Sequence, residues 1–170
     1  MTTNHYWPQA HAMDVMVDAY MRTGSKQYLN IYPLWWEGAP KFNFAGREED
    51  PWWNVFVDDM EWIALAQIRM FESTKNTKYL KKARQTYDDW VWSTWGPEDE
   101  ALIAARLYNF YDAMGKKAGK PKQAYLNEAI KIYTWEKNNL FDRQTGAVYD
   151  SMNGEGKITK WVFSYNSGTF

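Results

Sequence analysis

The sequence predicts an all-α fold built from helical hairpins, in which buried inner helices alternate with amphipathic outer ones. Three observations carry that prediction. A Tyr-Leu signature opens a helix three times, as GSKQYLN from Gly24, NTKYLKKA from Asn76 and KQAYLNEA from Lys122. Its recurrence at intervals of about 45–50 residues exceeds a tetratricopeptide repeat and suits a helical hairpin plus a functional loop. Between these segments lie helices of a different kind: MEWIALAQI from Met60 and ALIAARLY from Ala101 are apolar on nearly every face, the mark of burial on most sides. Finally, 18% of the 170 residues are aromatic, with 11 Trp and 12 Tyr. Such rings fill a large helical core by default, and their flat faces and polar edges also suit a carbohydrate or another amphipathic ligand.

Each element follows in order. The segment ahead of Gly24 forms the first inner helix and carries Asp14 and Asp18 at i, i+4; Asp14, nearer its start, is the better candidate to face a pocket. The first outer helix bears Tyr28, and the loop FNFAGREEDPWWN, with Gly46 and Pro51, leads to the second inner helix. The second outer helix places Tyr79, Leu80, Ala83 and Tyr87 in one apolar stripe, opposed by Lys78, Lys81, Lys82 and Arg84. The third inner helix is expected to start uncapped at Ala101, because Pro97-Glu98-Asp99-Glu100 runs straight into it, which suggests residues missing at that point. The third outer helix follows with Tyr125. GAVYDSMNGEGKITKWVFSY alternates on both sides of Asn153-Gly154-Glu155-Gly156, a β-hairpin turn, and VFSYNSGTF leads into a fourth inner helix. Inner and outer helices alternating around an axis make an α/α toroid, which six hairpins close. Residues 1–170 therefore read as one partial domain, about half of an (α/α)6 barrel, with a large apolar inner face left uncovered.

Composition excludes several classes. Net charge is −1 with acids and bases interspersed, so no basic stripe speaks for nucleic acid. There is no cysteine, hence no disulfide or thiolate chemistry. No apolar run approaches the roughly 18 residues of a membrane span, and MTTNHYWPQAHAMD does not resemble a signal peptide. His5 and His11 lack an acidic or His partner at ligand spacing, so no metal site is expected.

The chemistry-bearing feature is Asp58-Asp59 in NVFVDDMEWIALAQ, at the mouth of an inner helix. Acids there are favoured by the helix dipole and by free N–H groups, so a capping role is one reading. The other is catalytic. Retaining glycosidases need two carboxyls about 5–5.5 Å apart and inverting enzymes about 6.5–9.5 Å, and neighbours at a helix start can reach the shorter separation. Mutual repulsion would then hold one carboxyl protonated and leave the other ionised. Asp88-Asp89 in TYDDWVW repeats the dipeptide late in an amphipathic outer helix, where a solvated surface is the simple account.

These residues resemble glycoside hydrolase family 76, the endo-α-1,6-mannanases. The resemblance rests on YWPQAHAMDVMVDAYMRTG (6–24), VDDMEWIALAQIRMFESTKNTKYLKKA (57–83), ALIAARLYNFYDAMG (101–115), and GAVYDSM followed by FSYNSG (146–152 and 163–168). It implies an (α/α)6 barrel and retaining hydrolysis of internal α-1,6-mannosidic bonds in mannan or mannooligosaccharides, with Asp58 as nucleophile and Asp59 as general acid/base. Subsite walls would come from Trp7, Trp52, Trp53 and Trp62, with Gln9, Tyr165 and Asn166 as polar contacts. No metal or organic cofactor is implied, and the full-length protein would be a secreted or periplasmic monomer. Other classes stay open: a non-catalytic glycan-binding or scaffold protein of the same fold, a transglycosylase on cell-wall mannan, and, less favoured by the His pair, another toroid enzyme such as an unsaturated glucuronyl hydrolase or sugar epimerase.

Overall fold

A computed structural model of the chain describes residues 6–92, 97–115 and 119–169. They fall into two compact units, Met1–Thr94 with Phe110–Gly119 and Trp95–Asn109 with Lys120–Phe170. His5 lies outside the described residues.

In the first unit, α1 (Trp7–Thr23) starts on Pro8, which is tolerated in a first turn, and ends on Gly24 in the left-handed region (φ +66°). Its stripe of Gln9, Ala10, Met13 and Val17 is buried, and the helix packs on α4 (Val57–Thr74). The first outer helix is divided into α2 (Lys26–Leu29) and α3 (Ile31–Gly38). Pro33 supplies the reason: it has no N–H to offer the Leu29 carbonyl one turn back, so a continuous ladder cannot form. Trp35 of α3 donates its Nε1–H to the Gln9 carbonyl at 2.9 Å, tying the two helices together.

α4 is buried on nearly every face, as its composition predicts: Met60, Ile63, Ala64, Leu65, Ala66, Ile68, Met70 and Phe71 are all in the core. Lys75 closes it in the left-handed region (φ +58°), donating its N–H to the Phe71 carbonyl at 2.7 Å. Asn76 then caps α5 (Thr77–Thr86) by accepting the Lys78 N–H. The predicted stripe of Tyr79, Leu80, Ala83 and Tyr87 is buried. α5 runs into one π-helical turn, Tyr87–Val91, closed by the Trp92 N–H on the Tyr87 carbonyl at 2.8 Å. Met114, on the short helix Tyr111–Met114, is buried in the same unit, and the Phe110 ring meets Phe71 edge-on at 5.3 Å.

The second unit pairs α6 (Pro97–Asn109) with α8 (Lys122–Asn139), α7 being the short helix Tyr111–Met114. The expected start at Ala101 is corrected: α6 begins at Pro97, whose fixed φ suits a first helical position, and runs unbroken through Glu100 into Ala101. Burial also differs from expectation. α6 buries one stripe, Glu100, Ile103, Ala104 and Leu107, while Ala101, Leu102, Ala105 and Tyr108 are only partly covered. Within its unit it packs chiefly on α8 and on α9 (Ser164–Thr169). The β-hairpin is present as β1 (Ser151–Met152) and β2 (Ile158–Thr159), with Met152 opposite Ile158. Asn153 holds its turn, accepting the Glu155 and Lys157 N–H groups on Oδ1, and Gly156 takes the required positive φ of +79°.

Candidate active site

The start of α4 is fixed by the loop before it. Asn43, buried, donates its side-chain amide to the carbonyls of Pro51 (2.9 Å) and Trp53 (2.6 Å) and accepts from Asn54 Nδ2 at 2.7 Å. Asn54 in turn accepts the Phe56 N–H at 2.9 Å, one residue ahead of the helix. A Cβ on Gly46 would stand 2.8 Å from the Pro51 carbonyl oxygen, so this fold of the loop demands glycine. Asp50, buried, draws together Lys82 Nζ (2.6 Å), Trp90 Nε1 (3.1 Å) and the Trp52 N–H (3.1 Å). Arg47 covers the Trp53 ring with its guanidinium 3.5 Å from the centroid, and Trp90 meets Trp53 edge-on.

On this platform Asp58 and Asp59 occupy the first turn of α4. Neither is the N-cap: that position is Phe56, and its amide is satisfied by Asn54. The two carboxyls face different surroundings, Asp58 exposed and Asp59 only 5% exposed. Tyr6, fully buried, donates its hydroxyl to the Trp52 carbonyl at 3.3 Å. Burial, and then the negative charges of Asp50 and Asp59, push its phenol well above the usual range, so Tyr6 remains a neutral donor.

Asp58 and Trp62 are i, i+4 neighbours and share a face of α4, as Trp7 and His11 do on α1. The rings join the two helices. His11 meets Trp7 at 5.5 Å and Trp62 at 4.7 Å between centroids, and Trp7 is 48% exposed. The result is an accessible aromatic ladder that leads to the exposed acid of the pair.

Other expected site residues sit differently. Trp52 is only 7% exposed, between Trp35 (5.5 Å), Trp36 (5.0 Å) and the loop, so it packs the core and offers no open wall. Trp53 is partly covered by Arg47 and Trp90. Gln9 is buried, and among the described residues its Nε2 has no hydrogen-bond partner. Tyr165 and Asn166 belong to the second unit; Tyr165 donates its hydroxyl to Asp150 Oδ1 at 3.2 Å and stacks on Phe163, while Asn166 is buried. Asp14 and Asp18 both pair with Arg69 of α4, Asp14 at 2.9 Å, and so clasp α1 to α4. Asp88 is more enclosed than a solvated surface implies, paired with Arg84 at 3.2 Å, while Asp89 is exposed. Sequence reasoning missed Asn43, Asp50, Asn54 and Tyr6, which sit in irregular segments where no periodicity marks an inward side chain. Among the described residues, no group of three or more His, Asp or Glu side chains could hold a metal ion.

The family described as glycosyl hydrolase family 76 matches residues 99–170. Among solved structures, the GH76A α-1,6-mannanase of Salegentibacter sp. HEL1_6 is 30% identical, with a TM-score of 0.77, over 96% of this chain and 52% of its own. The chain resembles glycoside hydrolase family 76. An inactive variant of that mannanase, with two successive aspartates changed to alanine and α-1,6-mannotetrose bound, is 29% identical with a TM-score of 0.76 over 98% of this chain and 52% of its own. The Lin0763 protein of Listeria innocua is 26% identical, with a TM-score of 0.78 over 99% of this chain and 51% of its own. Among the curated proteins none matches. The chain thus spans about half the length of these solved structures, and its fold class is the one expected: helical hairpins amounting to about half of such a helical barrel, with a small β-hairpin.

Proposed function

We propose that this chain carries the catalytic acids of a retaining glycoside hydrolase that cleaves internal α-1,6-mannosidic bonds. The observation that carries the reading is the first turn of α4, where one exposed and one buried aspartate stand together beside an accessible aromatic ladder. A retaining mechanism gives the pair two roles: Asp58, open to solvent, is the nucleophile, and Asp59, enclosed beside it, is the general acid/base. Asp58 attacks the anomeric carbon as the glycosidic bond breaks, and Asp59 gives its proton to the departing oxygen. Water then attacks the mannosyl-enzyme, Asp59 takes the water's proton, and Asp58 is released.

Two features support assigning the role to this pair and not to its double. The related mannanase is inactive when two successive aspartates are replaced. Of the two Asp-Asp pairs here, only Asp58-Asp59 begins an inner helix, since Asp88 is engaged by Arg84 in a π-helical turn. A polymeric mannan lies outside the cytoplasm, so the proposal carries a secreted or periplasmic location with it.

The test is incubation with linear α-1,6-mannooligosaccharides, with product size and anomeric form read by chromatography and proton NMR. Retained configuration and short internal products are expected. Asp58→Ala and Asp59→Ala should each lower kcat by at least about a hundredfold, the scale of a lost acid/base or nucleophile. Inverted products, or full activity in Asp58→Ala, would overturn the mechanism. Binding without hydrolysis that survives Asp58→Asn points instead to a glycan-binding protein, and mannosyl transfer to an added acceptor points to a transglycosylase.

A further inference from the structure

We infer that His11 is a substrate-binding residue, an imidazole that holds a sugar hydroxyl in the subsite adjoining Asp58. The inference rests on the glycosidase reading and adds to it a residue whose spacing in the sequence gave no sign of a role. His11 is gripped by two indoles, Trp7 edge-on at 5.5 Å and Trp62 tilted at 4.7 Å, so its ring plane is set before any ligand arrives. It is half-buried, and among the described residues neither ring nitrogen has a hydrogen-bond partner. A core histidine satisfies at least one nitrogen on a neighbour. Among the described residues no neighbour does this for His11, which leaves both nitrogens to a ligand.

Position strengthens the point. Trp7 and His11 share a face of α1, Trp62 and Asp58 share a face of α4, and the His11–Trp62 contact joins the two faces. A pyranose laid on these rings would rest its apolar C–H face on an indole and turn its hydroxyls to the edge. The imidazole then offers one donor and one acceptor, the complement of a hydroxyl that both gives and takes a hydrogen bond. The ligand class is therefore a neutral hexopyranose unit of the chain bound next to the reacting bond. Because the ring is fixed in advance, little rotamer entropy is lost on binding.

The experiment titrates the intact chain with α-1,6-mannotriose, reading tryptophan fluorescence and the His11 Cε1–H resonance, which His11→Phe assigns by its disappearance. Phenylalanine keeps a flat ring between the indoles and removes only the nitrogens. The resonance is expected to move with saturation, and His11→Phe to raise the Kd about tenfold, the loss of roughly one hydrogen bond. His11→Gln, which restores a donor and an acceptor, should recover part of that loss, and equal melting temperatures of the variants exclude misfolding as the cause. Mannotriose bound equally well by His11→Phe, with an unmoved resonance, overturns the inference while the glycosidase reading stands. No binding of mannotriose by the unaltered chain overturns that reading and the inference together.

Discussion

At Asp142 three donors converge on one carboxylate. The Tyr149 hydroxyl reaches Oδ2 at 2.7 Å, and the N–H groups of Gln144 and Thr145 reach Oδ1 at 2.8 and 3.4 Å. The Tyr149 bond, followed by that of Gln144, holds the Asp142 carboxyl down at about 2, against 3.8 ordinarily. A folded-state value below the unfolded one stabilises the turn fully above pH 3.8, and that contribution is lost as the pH falls through about 2. In Tyr149→Phe the Asp142 carboxyl should therefore titrate closer to 3.8, which carbon NMR of the side chain reads directly. The melting-temperature gap between the unaltered chain and Asp142→Asn should also narrow as the pH drops from about 4 to about 2. Residues of this kind are legible in sequence only when a helix places them. The place of Asp58 and Asp59 in a first turn could be read because the all-round apolar run MEWIALAQI marks the inner helix that they begin. His11 could not, since its ring contacts come from two separate helices and nothing along the chain links them.

Between α3 and α4 a single buried acid organises the whole loop. Asp50 and Lys82 are both largely enclosed, 2.6 Å apart; the Trp52 N–H shares Oδ1 with Lys82, and Trp90 Nε1 donates to Oδ2. Removing one partner of a buried pair leaves the other charge uncompensated, typically a loss of about 3–5 kcal/mol. Asp50→Ala should thus lower stability by about 3 kcal/mol, read as an earlier urea midpoint with an unchanged slope. Adding Lys82→Met to that variant should restore part of the loss, because the stranded ammonium is then gone. Activity should fall more than stability predicts, since Trp52 and Trp53 hand the strain to Asn54 and the first turn of α4. Helices were the legible elements: α4 and α5 follow their predicted faces, and Asn153 with Gly156 announces the hairpin. The loop was not legible, because FNFAGREEDPWWN has no repeat, and which of its three acids turns inward is decided by Lys82 and Trp90, 32 and 40 residues away. The division of the first outer helix was readable from Pro33 in hindsight, whereas the π-helical turn after α5 has no breaker residue to announce it.

For the molecule as a whole, alternating inner and outer helices were expected because a helix apolar on most faces is buried on most faces; α4 obeys, while α6 buries a single stripe. That rule has a corollary: apolar faces expected to meet further helices stay open where none packs on them. In the second unit Trp161 is 67% exposed, and Val162, Phe163 and Tyr165 beside it are also exposed, with Phe163 and Tyr165 stacked at 5.3 Å. Contiguous exposed rings on this scale bind hydrophobic dyes and promote self-association. Trp161→Ser should therefore reduce the fluorescence of bound anilinonaphthalene sulfonate and shift elution toward smaller species in size-exclusion chromatography at high concentration. The melting temperature should hardly move, because substituting a side chain so open to solvent changes stability by no more than about 0.5 kcal/mol. The buried Leu140 and Val148 of the same unit give the contrasting control: Leu140→Ala should lower stability by about 2–5 kcal/mol and raise dye binding, as expected for a cavity in a packed core. Dye fluorescence that is unchanged in Trp161→Ser, with association also unchanged, would show that the aromatic strip is not the sticky surface of the chain and that the uncovered apolar face lies elsewhere.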